Sequence, residues 1–77
     1  MTTPADIESW IQSNMSVQSV TVNGDGRHFE AVVVSEAFVG KNTMARHRLV
    51  YAALGDKMRE AIHALSLKTL TPDQVKS

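Results

Sequence analysis

Hydrophobic positions change period several times along this chain, and each change marks an element. Ile7, Trp10, Ile11 and Met15 recur at intervals of three and four. That spacing predicts an amphipathic helix of about three turns. Thr3-Pro4-Ala5-Asp6 opens it with a capping hydroxyl, a proline at the first helical position and a carboxylate in the first turn. From Ser16 to Val22 the period falls to two, with Val20 and Val22 alternating against Ser19 and Thr21. Asn23-Gly24-Asp25-Gly26 then separates this run from a second, His28 to Ser35, which is apolar on both faces around Val32-Val33-Val34. Two such runs flanking a Gly/Asn/Asp cluster predict a hairpin, and a two-sided apolar run predicts a strand in the sheet interior.

Phe38 and Gly40 form a turn that ends the second strand, and Asn42 or Thr43 caps the helix beyond it. From Met44 to Arg59 the apolar row is Val50, Leu54 and Met58, flanked by Tyr51 and Ala53, while Arg46, Arg48, Asp56 and Glu60 stay in water. Gly55 inside such a helix costs about 1 kcal/mol relative to Ala, so packing has to hold it. Ile62 to Leu70 returns to alternation, with His63, Leu65 and Leu67 on one face and Ala64, Ser66 and Lys68 on the other. Thr71-Pro72-Asp73-Gln74 repeats the opening device with Gln in the capping-box position, predicting a short closing helix. The order helix, strand, strand, helix, strand predicts an α+β fold. Its sheet is three-stranded and mixed: an antiparallel hairpin, then a right-handed crossover to a parallel third strand, with the helices on one face. No linker, repeat or low-complexity segment interrupts it, so residues 1–77 are expected to form one domain.

Composition narrows the function. A chain of 77 residues buries only about 60% of its unfolded surface, which leaves little room for an internal cavity. The formal net charge is +0, which speaks against nucleic-acid binding by bulk electrostatics. Cys is absent, excluding disulfides, thiolate catalysis and cysteine-based zinc sites. The chain has no apolar run of membrane-spanning length and no charged n-region leading into an apolar core. The expected location is therefore the cytoplasm, with no membrane partner.

The residues with chemical potential are His28, His47 and His63. A lone histidine near an apolar face is more often a hydrogen-bonded core or surface group than a ligand. Position alters that balance for two of them. His28 follows a glycine-rich hairpin turn and His63 stands at the mouth of the last strand, so a loop and a strand end bring two imidazoles to one edge. Two imidazoles alone hold zinc weakly, but they complete a site that a partner supplies. His47 lies between Arg46 and Arg48 on a basic helix face, where a solvated or loop-packed side chain is expected. No activated serine, cysteine–histidine pair or carboxylate pair can be assembled, so no catalytic residues are expected and the chain does not read as an enzyme.

Four spaced motifs carry a resemblance: Phe38-Val39-Gly40-Lys41, Arg46-His47-Arg48-Leu49-Val50-Tyr51, Ile62-His63-Ala64-Leu65-Ser66-Leu67-Lys68, and Thr71-Pro72. In this order they resemble the BolA family, and Gly24-Asp25-Gly26-Arg27-His28-Phe29 resembles its IbaG-like (YrbA-like) branch. The resemblance spans essentially the whole chain and implies an α-β-β-α-β core related to the type II KH fold. It also implies partnership with a monothiol glutaredoxin of the CGFS type. The cofactor it implies is a [2Fe-2S] cluster shared with the glutaredoxin cysteine and glutathione. On this resemblance the metal ligands map to His63, in the Ile-His-Ala-Leu motif, and to His28, in the hairpin loop where family members carry His or Cys.

The expected function is thus iron–sulfur trafficking or iron sensing with a glutaredoxin. A second expectation comes from the family's description as DNA-binding regulators of stress response. It would use Lys41, Arg46 and Arg48 for about three phosphate contacts. Here the turn comparable to the KH backbone-gripping GXXG loop is Gly40-Lys41-Asn42-Thr43, which keeps only the first glycine. The free protein is expected to be at most a weak homodimer. A ligand that adjusts to an incoming cluster predicts an exposed His28 at the same edge as His63.

Overall fold

The computed structural model describes residues 1–76. Its elements are α1 (Pro4–Asn14), β1 (Ser19–Gly24), β2 (His28–Val34), a single 3-10 turn (Glu36–Phe38), α2 (Thr43–Leu54), α3 (Lys57–Glu60), β3 (Ala64–Leu70) and α4 (Pro72–Lys76). The sheet is three-stranded in the order β1-β2-β3. β1 and β2 are antiparallel and β2 and β3 parallel, as the sequence pattern requires. This is the α+β arrangement expected of a BolA-like chain.

Strand register explains why one face of the sheet is covered and the other open. Val20 pairs with Val33, Val22 with Ala31 and Gly24 with Phe29, while Phe29 and Ala31 pair across to Leu65 and Leu67. These inward rows join Ile7 and Ile11 of α1 and Val50 and Leu54 of α2 in one core. Ile7, Ile11, Val33 and Val50 have no residual exposure, each contributing about 1.5–3 kcal/mol by leaving water. The alternate rows, Thr21-Val32-Lys68 and Asn23-Glu30-Ser66, lie on the exposed face.

Local chemistry sets the boundaries. Thr3 and Asp6 exchange side-chain and backbone bonds in a capping box at the start of α1. Asn42, not Thr43, caps α2: its side chain accepts from the Ala45 amide at 2.9 Å. β1 begins later than Ser16 because Ser16 and Val17 bridge from α1, and pairing starts where the Gln18 amide donates to Val34 O at 2.7 Å. It then runs on to Gly24, since only Asp25 to Arg27 are needed to reverse the chain. Gly24 tolerates no larger residue there, because a Cβ would lie 2.5 Å from His28 O and 2.6 Å from the Phe29 ring.

The single helix expected from Met44 to Arg59 is two helices. α2 stops at Leu54 because Gly55 takes φ 55° and ψ −132°, and its amide donates back to Tyr51 O at 2.8 Å. A new turn, α3, then starts at Lys57. Met58 still packs against the core, but the break lets the chain turn toward β3 instead of running past it. Gly55 therefore serves as a hinge of fixed geometry, whereas the apolar spacing alone reads as an uninterrupted helix.

This assignment fixes the sign of a substitution. Gly55→Ala places a β-carbon in backbone space that essentially only glycine uses, and should cost about 1–3 kcal/mol. For a domain of this size that lowers Tm by roughly 4–8 °C per kcal/mol in thermal unfolding. If the helix were continuous, the same change would instead stabilise by about 1 kcal/mol.

Candidate functional site

The geometry at the N-terminal ends of β2 and β3 begins with one carboxylate. Asp25 Oδ1 accepts from the backbone amides of Arg27 and His28, both at 2.9 Å, and the Asp25 amide donates to His28 O at 3.2 Å. The His28 amide, and then that of Arg27, hold the Asp25 carboxyl below its ordinary pKa, with a further contribution from the His28 charge. The turn is thus locked through the backbone while the His28 side chain remains exposed. Sequence reasoning does not single out Asp25. The signal available is an aspartate between two glycines, a favourable place for its side chain to bond amides two and three residues on.

The first rung of the parallel ladder sets the second imidazole. The Ala64 amide donates to Arg27 O at 3.0 Å, and His28 and Ala64 are register partners. Just upstream, Ile62 is buried and its amide donates to Lys57 O at 3.0 Å. Thr2 Oγ1 donates to Ala61 O at 2.7 Å, holding the same segment from the other side. Between the buried Ile62 and the paired Ala64, His63 projects from a fixed backbone with an exposed side chain. The His28 and His63 ring centroids are 6.5 Å apart with planes at 80°. The hairpin tip and the strand mouth therefore bring these two residues to one edge.

His47 lies apart from them on α2. It is half-buried, with its ring centroid 6.3 Å from that of Tyr51. Among the described residues no group of three or more His, Cys, Asp or Glu side chains is placed to hold a metal ion. The edge thus offers two imidazoles and no thiolate. Such a set suits one iron of a [2Fe-2S] cluster in which two histidines replace two cysteines, provided that a partner supplies the ligands of the other iron.

The three basic candidates for phosphate contact are not equivalent. Lys41 and Arg48 are exposed. Arg46 is engaged: its Nε donates to Lys41 O at 2.8 Å, and its Nη1 donates to Thr69 O at 3.3 Å and Gln74 Oε1 at 3.0 Å. Its guanidinium also lies 5.9 Å from the Phe38 ring centroid. Arg46 ties α2 to the end of β3 and to α4, so part of its guanidinium is engaged within the fold. Gln74 Oε1 also accepts from the Thr71 amide at 2.8 Å, closing the capping box of α4.

No helix among the described residues is long and apolar enough to cross a membrane. Residues 4–74 match the profile of the BolA family, described as BolA-like protein. A BolA homologue of known structure from Coxiella burnetii superposes with TM-score 0.89 at 51% identity, covering 100% of both chains. The acid stress protein IbaG of Escherichia coli is 37% identical over 68 residues, or 87% of this chain and 81% of that protein. The DNA-binding transcriptional regulator BolA of the same organism is 40% identical over 48 residues, 62% of this chain and 46% of that protein. With the profile spanning nearly every element and the fold in full agreement, the chain belongs to the BolA family and is similar to its IbaG members.

Proposed function

We propose that this protein is a non-enzymatic partner of a monothiol CGFS glutaredoxin, with which it holds a [2Fe-2S] cluster for iron–sulfur trafficking or iron sensing. His63 and His28 supply its two ligands, and the glutaredoxin cysteine and glutathione supply the others. The observation that carries this reading is the exposed imidazole pair, 6.5 Å between centroids, presented at one end of the sheet with no third metal-ligating side chain grouped with it among the described residues. Replacing thiolates by imidazoles on one iron raises the cluster's reduction potential. The chain's own contribution is to present the pair from two restrained stretches of backbone. His63 follows a buried anchor, and His28 opens β2 just past the turn that Asp25 locks. Family membership supports the reading, as does the placement of both residues in the motifs that carry the resemblance.

A second reading rests on a different observation. One relative is named a DNA-binding transcriptional regulator, and Lys41 and Arg48 are exposed on or beside the first half of α2. With Arg46 engaged in the fold, two phosphate contacts remain in place of three.

Two experiments separate these readings. In co-purified heterodimer, His63→Ala should abolish or redden the visible cluster spectrum while thermal unfolding stays close to wild type, because the exposed ring contributes little core area. His28→Cys should keep a cluster with a shifted spectrum, and His28→Ala should leave a labile one. An unchanged spectrum in His63→Ala would remove the ligand assignment.

For DNA, the logarithm of the binding constant should fall with the logarithm of salt at a slope of about −2. Binding should be negligible near physiological ionic strength. Tight, sequence-selective binding by the free protein at that salt would put the regulator reading first.

A further inference from the structure

The outer face of α2 carries features that the imidazole edge does not use. Val50, Ala53 and Leu54 turn inward, leaving Met44, His47, Arg48 and Tyr51 as one outward stripe at intervals of three and four. Met44 is 65% and Tyr51 40% exposed. With Thr43 they line a shallow groove of about 500 Å³. The His47 and Tyr51 rings meet edge to face, giving its floor a defined shape. Although the net charge is +0, α2 has no acidic residue, and His47 and Arg48 line the groove. The surface therefore reads along the helix as apolar, cationic, apolar.

We propose that this stripe is a docking surface for an acidic amphipathic helix of a protein partner, bound independently of the imidazole edge. The complementary helix presents apolar side chains at i and i+7, against Met44 and Tyr51, and carboxylates at i+3 and i+4, against His47 and Arg48. Helices that lie in grooves are read through this spacing, and exposed apolar patches with a polar rim mark such sites. A second copy of this chain would set Arg48 against an equally basic stripe with no carboxylate to pair with it, an arrangement that interfaces avoid. DNA would use Arg48 and Lys41 but gain nothing from Met44 and Tyr51, both exposed apolar parts of the stripe.

The two surfaces are separate. Arg46, in the first turn of α2, reaches Thr69 near the C-terminal end of β3, whereas His63 precedes its N-terminal end. Six residue steps along the strand, about 20 Å, separate them. A protein held at the imidazole edge thus leaves the start of this groove open to a third body.

The test uses the whole protein and a synthetic 18-residue capped helical peptide with Leu at i and i+7, Glu at i+3 and i+4, and Ala elsewhere. Amide NMR shifts should concentrate on Met44, His47, Arg48 and Tyr51. The double variant Met44→Ser/Tyr51→Ser, altered only at exposed positions, should bind at least ten-fold more weakly with an unchanged unfolding curve. It should also assemble a glutaredoxin cluster as wild type does. Arg48→Glu should lose the Glu peptide and gain a version with Lys in place of Glu.

Equal binding of Glu and Lys peptides by the wild type, or full affinity in the double Ser variant, would overturn the proposal. So would a 20-base-pair DNA duplex that shifts the same amides more tightly and ignores the Ser changes, which would assign the face to nucleic acid. Loss of cluster assembly in the double Ser variant would show that the two surfaces are not separate. None of these outcomes bears on whether His63 ligates the cluster.

Discussion

The register of the parallel β2–β3 pair is the constraint on which the rest of this structure depends. It is set at one end by the Ala64 amide on Arg27 O and at the other by the Ser35 amide on Leu70 O, each at 3.0 Å. Between them, Ala31 faces Leu67 and Phe29 faces Leu65 on the covered side. A slip of one residue would turn Leu65 and Leu67 toward water and Ser66 and Lys68 toward the core. The same slip would carry His63 away from His28. Core packing and the imidazole pair are therefore selected together, which is how a protein with so thin a core holds two side chains at its surface in a defined relation.

The ends of the sheet are built differently. At the histidine end the backbone is restrained by bonds from Asp25 and Thr2, and the two imidazoles above it stay exposed. At the other end the guanidinium of Arg46 gathers the Lys41 carbonyl, the Thr69 carbonyl, Gln74 and the Phe38 ring into one clamp. A charged side chain with this many partners stabilises the junction of α2, β3 and α4. That division explains why Arg46 serves the fold while the exposed rings at the other end carry the proposed chemistry.

Much of this is legible in the sequence. Thr3-Pro4 and Thr71-Pro72 announce their helices because capping is local chemistry. The alternation of Val20, Val22, Leu65 and Leu67 announces the covered face because a strand has a fixed period of two. Proximity of His28 and His63 is a matter of topology, since a parallel strand that returns beside a hairpin must begin where the hairpin turns. The features that are not legible depend on contacts distant in sequence or on backbone geometry. Gly55 fits an apolar helical row as well as it fits a break, and only its backbone angles decide between them. Arg46 looks identical to Arg48 until Thr69 and Gln74 are brought beside it. Asp25 reads as ordinary turn composition, although it is the group that holds His28 in place.

The central claim is that the two imidazoles form one half of a ligand set. It is tested most directly by pulsed EPR on the reduced cluster of the wild-type heterodimer with a monothiol glutaredoxin, prepared once with natural and once with ¹⁵N-labelled histidine in this chain. Two strongly coupled nitrogens that change with the label are the predicted result. A cluster with no label-sensitive nitrogen coupling would contradict it.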